Sequence, residues 1–210
     1  MAAVIKRISW TAETQHGYVT RAQAISEGAT DVDLHRAVAS GVLERVGHGV
    51  YRVVGAQEHP HQELWVAWLQ IEADRAAHER ERDPTVWVSH WSAARVLDLG
   101  VVAADVHEFS SVDRRQTRRR DVRIHRLRAP LGRHAWDRAA GMPVTRAART
   151  IVDLTRSGAD AGHVGSVIVD ALEGGLTTRD DLAAVLADRP DPAGLIASMM
   201  EQATSKFAPR

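Results

Sequence analysis

The order of local signals along the chain predicts an α+β protein. Its parts are an N-terminal winged helix-turn-helix and a mixed α/β, helix-dominant C-terminal domain. Three observations carry this reading. Gly17 to Val54 holds two capped helical segments and then two short β-prone runs around Gly47-His48-Gly49. The stretch from Val86 to Leu127 alternates strand candidates with a short helix, and beyond Thr145 nearly every segment reads as helix. The expected division is 1–55 for the winged module and 56–210 for the rest. The latter comprises a connecting helix (56–82), an α/β part (83–155) and a helical part (156–210).

Taken in order, Ile8–His16 is the expected first helix. Thr20 with Gln23 three residues on is a capping-box pattern, and Thr30 with Asp33 is its carboxylate variant. Gly28 and Gly41 stand where each helix should stop, because glycine enters the left-handed conformation that closes a helix. Leu43–Val46 and Val50–Val54 form the expected wing. From Glu58 to Arg82, Leu64, Trp68 and Ile71 fall at i, i+4 and i+7, predicting one helix that Asp83-Pro84 ends. Val86–Val88, Val106–Val112 and Val122–Leu127 are strand candidates, with Ser92–Leu99 a helix between the first two. Thr145 is the expected cap of a helix through Ile151 and Leu154. Helices over His163–Glu173, Thr178–Ala187 (with Thr178 and Asp181 as a further box) and Pro192–Lys206 follow.

Composition excludes several classes. The chain has 210 residues and 44% apolar content, with no apolar run long enough to span a bilayer. The N-terminus lacks the apolar core of an export signal, so the expected compartment is the cytoplasm. Cysteine is absent, which removes disulfides, thiolate metal sites and cysteine nucleophiles. The formal net charge is zero but unevenly placed: residues 114–149 carry twelve Arg against two Asp, whereas residues 56–113 carry four Arg against eleven acidic residues.

The winged module directs attention to its second helix, which in such folds enters the major groove. Leu34, Ala37 and Val38 form its apolar face. Asp33, His35, Arg36 and Ser40 point outward. Arg36 is the candidate for a bidentate guanine contact, and His35 and Ser40 are further candidates. On the wing, Arg45, His48 and Arg52 are placed to meet phosphates or the minor groove. The competing reading is a module used for protein contact or structure alone.

The segment Asp113–Arg128 holds Arg114, Arg115, Arg118, Arg119, Arg120, Arg123, Arg126 and Arg128. One reading is a positive contact surface for nucleic acid or an acidic partner. The other is a solvated arginine-rich hairpin with Arg118–Arg120 at its turn. Arg123 and His125, alternating with Val122, Ile124 and Leu127, are expected to share an outward face. Catalytic signals are poor. The histidines lack metal-site spacing, no Walker loop, GxGxxG or GxSxG occurs, and neither a cofactor nor a metal is expected. Glu58, Glu63, Glu72, Asp74, Glu79 and Glu81 read as a solvated helix face. Asp153, Asp170 and Glu173 read as solvated or capping positions. Trp65, Trp68, Trp87 and Trp91 read as core.

Three phrases in series, GVLERVGHGVYRV, VSHWSAARVLDLG and GMPVTRAARTIVDL, resemble the AbiEi-type antitoxins of type IV toxin–antitoxin systems across residues 10–155. The resemblance implies an N-terminal winged helix-turn-helix that binds inverted repeats in its own promoter, giving negative autoregulation. It also implies a C-terminal antitoxin domain that counters a cognate nucleotidyltransferase toxin, directly or through the toxin's target. It carries over no catalytic residue and no membrane partner, so the expected protein is not an enzyme. The same N-terminal pattern also heads proteins with a small endonuclease domain, but no complete nuclease motif follows here. The alternative is a stand-alone winged-helix regulator with a ligand- or protein-sensing C-terminal domain.

Overall fold

The computed structural model describes residues 2–101 and 106–207. It divides into two compact units, Met1–Pro84 with Ala140–Met142, and Thr85–Ala139 with Pro143–Arg210. The first begins with α1 (Ala2–Thr14), β1 (Tyr18–Thr20), α2 (Arg21–Ser26) and α3 (Asp31–Ala39). The wing strands β2 (Leu43–Gly47) and β3 (Val50–Val53) follow, then α4 (Gln62–Ile71) and α5 (Ala77–Arg82).

Both expected capping boxes form: Thr20 accepts from Gln23 N, and Thr30 from Asp33 N. Gly28 and Gly41 adopt φ of 84° and 71°. Each helix then closes with the paired bonds of a Schellman motif, Ala29 N to Ala24 O and Gly28 N to Ile25 O for α2, Val42 N to Ala37 O and Gly41 N to Val38 O for α3. Ile8, Val19, Ala24, Leu34, Ala37 and Leu43 make the core, with Val38, Tyr51 and Val53 packed on it.

Three features depart from expectation. A third strand, β1, pairs antiparallel with β3, giving the sheet order β1-β3-β2. All three of its residues are buried, so it shows no alternation. The helix expected from Glu58 to Arg82 is two helices, interrupted where Glu72 turns out of helical geometry. Glu72 is buried rather than solvated, and it faces Arg80, itself 1% exposed, whose guanidinium lies 3.6 Å over the Trp68 ring. The compact unit therefore runs past residue 55, because Leu64, Trp65 and Trp68 are buried within it.

A buried amide pair ties this unit together. Gln15 Nε2 donates to Tyr18 O and Gln23 Oε1, and Gln15 Oε1 accepts from Gln23 Nε2 and Ala77 N. Gln23 Nε2 also donates to Arg75 O, and Gln23 Oε1 accepts from Thr20 N. Every donor and acceptor of both amides is used, which is what burial of two glutamines requires.

The second unit contains β4 (Val86–Val88), α6 (His90–Val96), β5 (His107–Ser111), β6 (Val122–Arg126), β7 (Trp136–Ala139) and, from Pro143 on, β8 (Met142–Thr145). The helices α7 (Ala147–Arg156), α8 (Ala161–Glu173), α9 (Arg179–Val185) and α10 (Pro192–Phe207) complete it. The five-stranded sheet has the order β6-β5-β4-β8-β7. β4 runs antiparallel to β5 and parallel to β8. β5 and β6 are parallel, with His107 opposite Val122, so Arg118–Arg120 are not the turn of a hairpin. Thr145 ends a strand instead of capping α7, and its hydroxyl bonds that of Thr150 at 2.7 Å. Asp153 is buried rather than solvated and pairs with Arg149 at 2.8 Å. The core gathers Ile151, Leu154, Val164, Val167, Ile168, Leu182 and Ile196 from α7 to α10. Gly165 lets α8 and α10 touch: a Cβ there would lie 1.9 Å from Met199 O. Among the described residues, no helix is long and apolar enough to cross a membrane.

Candidate nucleic-acid interface

The recognition-type helix α3 presents one clear outer face. Leu34 and Ala37 are buried, while Val32, His35, Arg36 and Ser40 are exposed. The two aspartates that lower the formal charge of this helix are both engaged. Asp31 receives a bidentate pair from Arg21, with Nε to Oδ1 at 2.6 Å. Asp33 takes the Thr30 amide at 3.0 Å and the Thr30 hydroxyl at 2.7 Å. Those hydrogen bonds hold both carboxyls below the ordinary aspartate range, so both are ionised and locally matched. Arg36 is the cation the outer face displays.

The wing tip is fixed against α2 by the Arg21 amide, which donates to Gly49 O at 2.7 Å. A bulge between Arg45 and Gly47 turns the strand at the tip. Arg45 and His48 are exposed there, with an Arg45 terminal nitrogen 3.4 Å from His48 Nδ1 and Arg45 Nε donating to Gly47 O at 3.3 Å. Arg52 behaves differently. Its side chain is only 15% exposed, bonded to Glu44 and 3.7 Å from Glu58. Alternation on β3 turns Arg52 away from Tyr51 and Val53, which pack on the helical core. The expectation of a free phosphate contact at Arg52 is therefore corrected: this residue braces the wing.

Ser40 is exposed but is the C-cap residue of α3, and its hydroxyl donates to Ala37 O at 3.1 Å. Sequence reasoning missed Val32, 56% exposed in the first turn of α3. It lies about 200° around the helix from Leu34, a helical-wheel signal that was available. An exposed apolar residue there suits a thymine methyl group.

In the second unit, Arg114, Arg118, Arg120, Arg126 and Arg128 are exposed and make no ion pair among the described residues. Arg115 is tied to Ser111, Asp113 and Thr85, Arg119 to Asp121, and Arg123 to Glu108 at 3.6 Å. The expectation that Arg123 and His125 share an outward face is corrected for His125: Arg123 is exposed, but His125 is largely covered. Its ring stacks on the buried His90 ring at 3.6 Å between centroids, and its Nε2 lies 3.0 Å from Glu108 Oε1. His90 Nδ1 in turn lies 2.9 Å from Ser89 Oγ, which receives a bond from Ser110 at 2.8 Å. Burial, with the neighbouring His125, pushes His90 down to about 4. Sequence reasoning had no means of pairing residues from α6, β5 and β6. No group of histidine and carboxylate residues suited to a metal occurs among the described residues.

Residues 10–54 match the family described as transcriptional regulator, AbiEi antitoxin. This is the segment from α1 to the end of the wing, so the likeness to that family of antitoxin regulators lies in the N-terminal module. The crystal structure of the RV2827C protein from Mycobacterium tuberculosis superposes with a TM-score of 0.56 at 14% identity, covering 95% of this chain and 77% of that one. At that identity the likeness concerns the fold. None of the curated proteins gives a significant match.

Proposed function

We propose that this protein is an antitoxin that represses its own operon. In this reading its N-terminal module binds promoter inverted repeats, and its C-terminal region counters a cognate nucleotidyltransferase toxin. The observation that carries the DNA-reading part is the outer face of α3, where Val32, His35 and Arg36 stand exposed while both aspartates are engaged. Arg36 serves as the base-reading cation, Val32 as an apolar contact, and Arg45 and His48 as backbone contacts from the wing tip. Ser40 supplies at most a flanking contact, since its hydroxyl is engaged with Ala37 O.

The test is a gel shift on the protein's own upstream sequence at stated salt. Arg36→Ala should weaken binding by about 1–3 kcal/mol and relax specificity at one base position. An unchanged shift removes Arg36 from the reading surface, and no shift with any upstream fragment removes the regulator reading.

For neutralisation, the free arginines Arg114, Arg118, Arg120, Arg126 and Arg128 form the contact surface for the toxin or its nucleic-acid target. Attraction of this kind falls as salt rises. The triple variant Arg118→Ala, Arg120→Ala, Arg126→Ala should lose rescue of growth when co-expressed with a nucleotidyltransferase encoded alongside. Full rescue would reject the surface.

A further inference from the structure

The five-stranded sheet ends on β6, and this edge differs from the opposite one in charge and in what it leaves unpaired. β6 runs parallel to β5, with His107 opposite Val122. At one end of the ladder His107 N donates to Asp121 O at 2.7 Å, and at the other Leu127 N donates to Ser111 O at 2.8 Å. In such a ladder every second residue turns both its N–H and its C=O toward the neighbouring strand. Asp121, Arg123, His125 and Leu127 therefore face β5, while Val122, Ile124 and Arg126 turn their main-chain groups outward. Among the described residues, none of those three makes a main-chain hydrogen bond on that side.

Cations bracket the open edge. Arg118 and Arg120 precede β6, Arg126 lies on it and Arg128 follows it; all four are exposed and make no ion pair among the described residues. The neighbouring carboxylates are already engaged, Asp113 with Arg115, Asp121 with Arg119 and Glu108 with His125. The opposite edge, β7, sets Asp137 beside Arg138, and Asp137 pairs with Arg146. One-sided charge is thus a property of the β6 edge.

An exposed edge is a template for a further strand. A second copy of β6 would bring arginine against arginine, and like charges across a strand pair repel. Phosphodiesters would answer the arginines and the outward N–H groups, yet they carry no donor for the outward carbonyls of Val122, Ile124 and Arg126. An extended peptide answers N–H and C=O at the same spacing, and carboxylates on it match the arginines.

We infer that β6 takes an extended acidic segment of a partner protein as a sixth strand of this sheet. The segment's main chain pairs with Val122, Ile124 and Arg126, and its carboxylates meet the flanking arginines. This rests on the reading of these arginines as the neutralising surface, and it makes the toxin protein, rather than its nucleic-acid target, the occupant.

The test uses the full chain and an end-blocked nonapeptide alternating Glu and Val. The comparators are the same peptide N-methylated throughout and a single-stranded RNA of nine nucleotides. In titration calorimetry the peptide should bind, and its N-methylated form should bind at least about tenfold more weakly, because its lost amides are donors to the edge. Amide exchange followed by NMR should slow at Val122, Ile124 and Arg126 when the peptide binds. Ile124→Pro removes one outward donor and no bond to β5, at a position where an edge strand tolerates proline. It should weaken the peptide about five- to tenfold relative to Ile124→Ala. Should Ile124→Pro fail to fold, the N-methylated peptide on the native chain decides the matter. Absence of peptide binding, equal affinity for the N-methylated form, unprotected outward amides, or RNA that protects those amides equally would overturn the assignment. No toxin enters these measurements, so a negative result strikes the strand pairing alone, whereas full rescue by the arginine variant strikes the neutralising surface.

Discussion

Acidification should destabilise the second unit through His90, and the size of the effect follows from its surroundings. The ring is 6% exposed, stacked on His125 and held by Ser89, so a proton on it has neither water nor space. Its folded value of about 4 lies below the ordinary histidine value of 6.5. Between those two pH values the unfolded chain takes up a proton at this position and the folded chain does not. Stability therefore falls as pH drops from 6.5 to about 4 and is flat in this respect above 6.5. A gap of roughly 2.5 pH units corresponds to about 3 kcal/mol, a large fraction of a domain's stability. Glu108 is pushed up by burial but pulled below its usual range by its bonds to His125 and the Trp91 amide and by the neighbouring imidazoles, and it loses a further contribution in the same direction at still lower pH. The matched variant is His90→Asn. Asparagine tolerates the left-handed backbone that His90 adopts at φ 53° and carries no titrating proton. Urea unfolding read by hydrogen exchange in peptides spanning β4 to β5, at pH 7.5, 6 and 4.5, should show a steep loss in the native protein and a shallower one in the variant. Parallel pH profiles for the two would refute the reasoning.

Thr30→Ala removes the cap of α3 and should cost about 1 kcal/mol in thermal unfolding, with a weaker operator complex because the first turn frays. Arg45→Ala should reduce the salt slope of operator binding by about one while leaving stability unchanged. Arg52→Ala should do the reverse, lowering the unfolding midpoint of the first unit with the salt slope intact, and a reduced slope would restore Arg52 to the contact surface. Gly165→Ala should destabilise by about 1–3 kcal/mol or more in chemical denaturation, because its methyl group meets backbone of α10 instead of a movable side chain.

Local signals in the sequence disclosed local structure. Thr20, Thr30, Thr178, Gly28 and Gly41 act within one turn of their own position, so helix starts and stops could be read from spacing alone. The outward placement of His35 and Arg36 followed from the position of Leu34 and Ala37 on the same helix. What spacing concealed were partnerships across distance. Tyr18–Thr20 is a strand only because β3 lies beside it. Glu72 is buried only because Arg80 meets it. Arg52 looks free along the chain and is spoken for by Glu44 across the wing. The parallel pairing of β5 with β6 could not be told from a hairpin, since both read as two strands with a polar connection.

The reciprocal glutamines have a consequence for how the proposed reading surface of α3 fails. Gln15 and Gln23 clamp α1 and α2 to the turn between α4 and α5, and neither amide can be released without stranding the other in the interior. Fraying at residues 72–77 is therefore transmitted at once to the scaffold that carries α3. Loss of the proposed operator affinity should therefore coincide with loss of the module's tertiary order, and operator binding that persists after residues 72–77 have melted would refute that coupling.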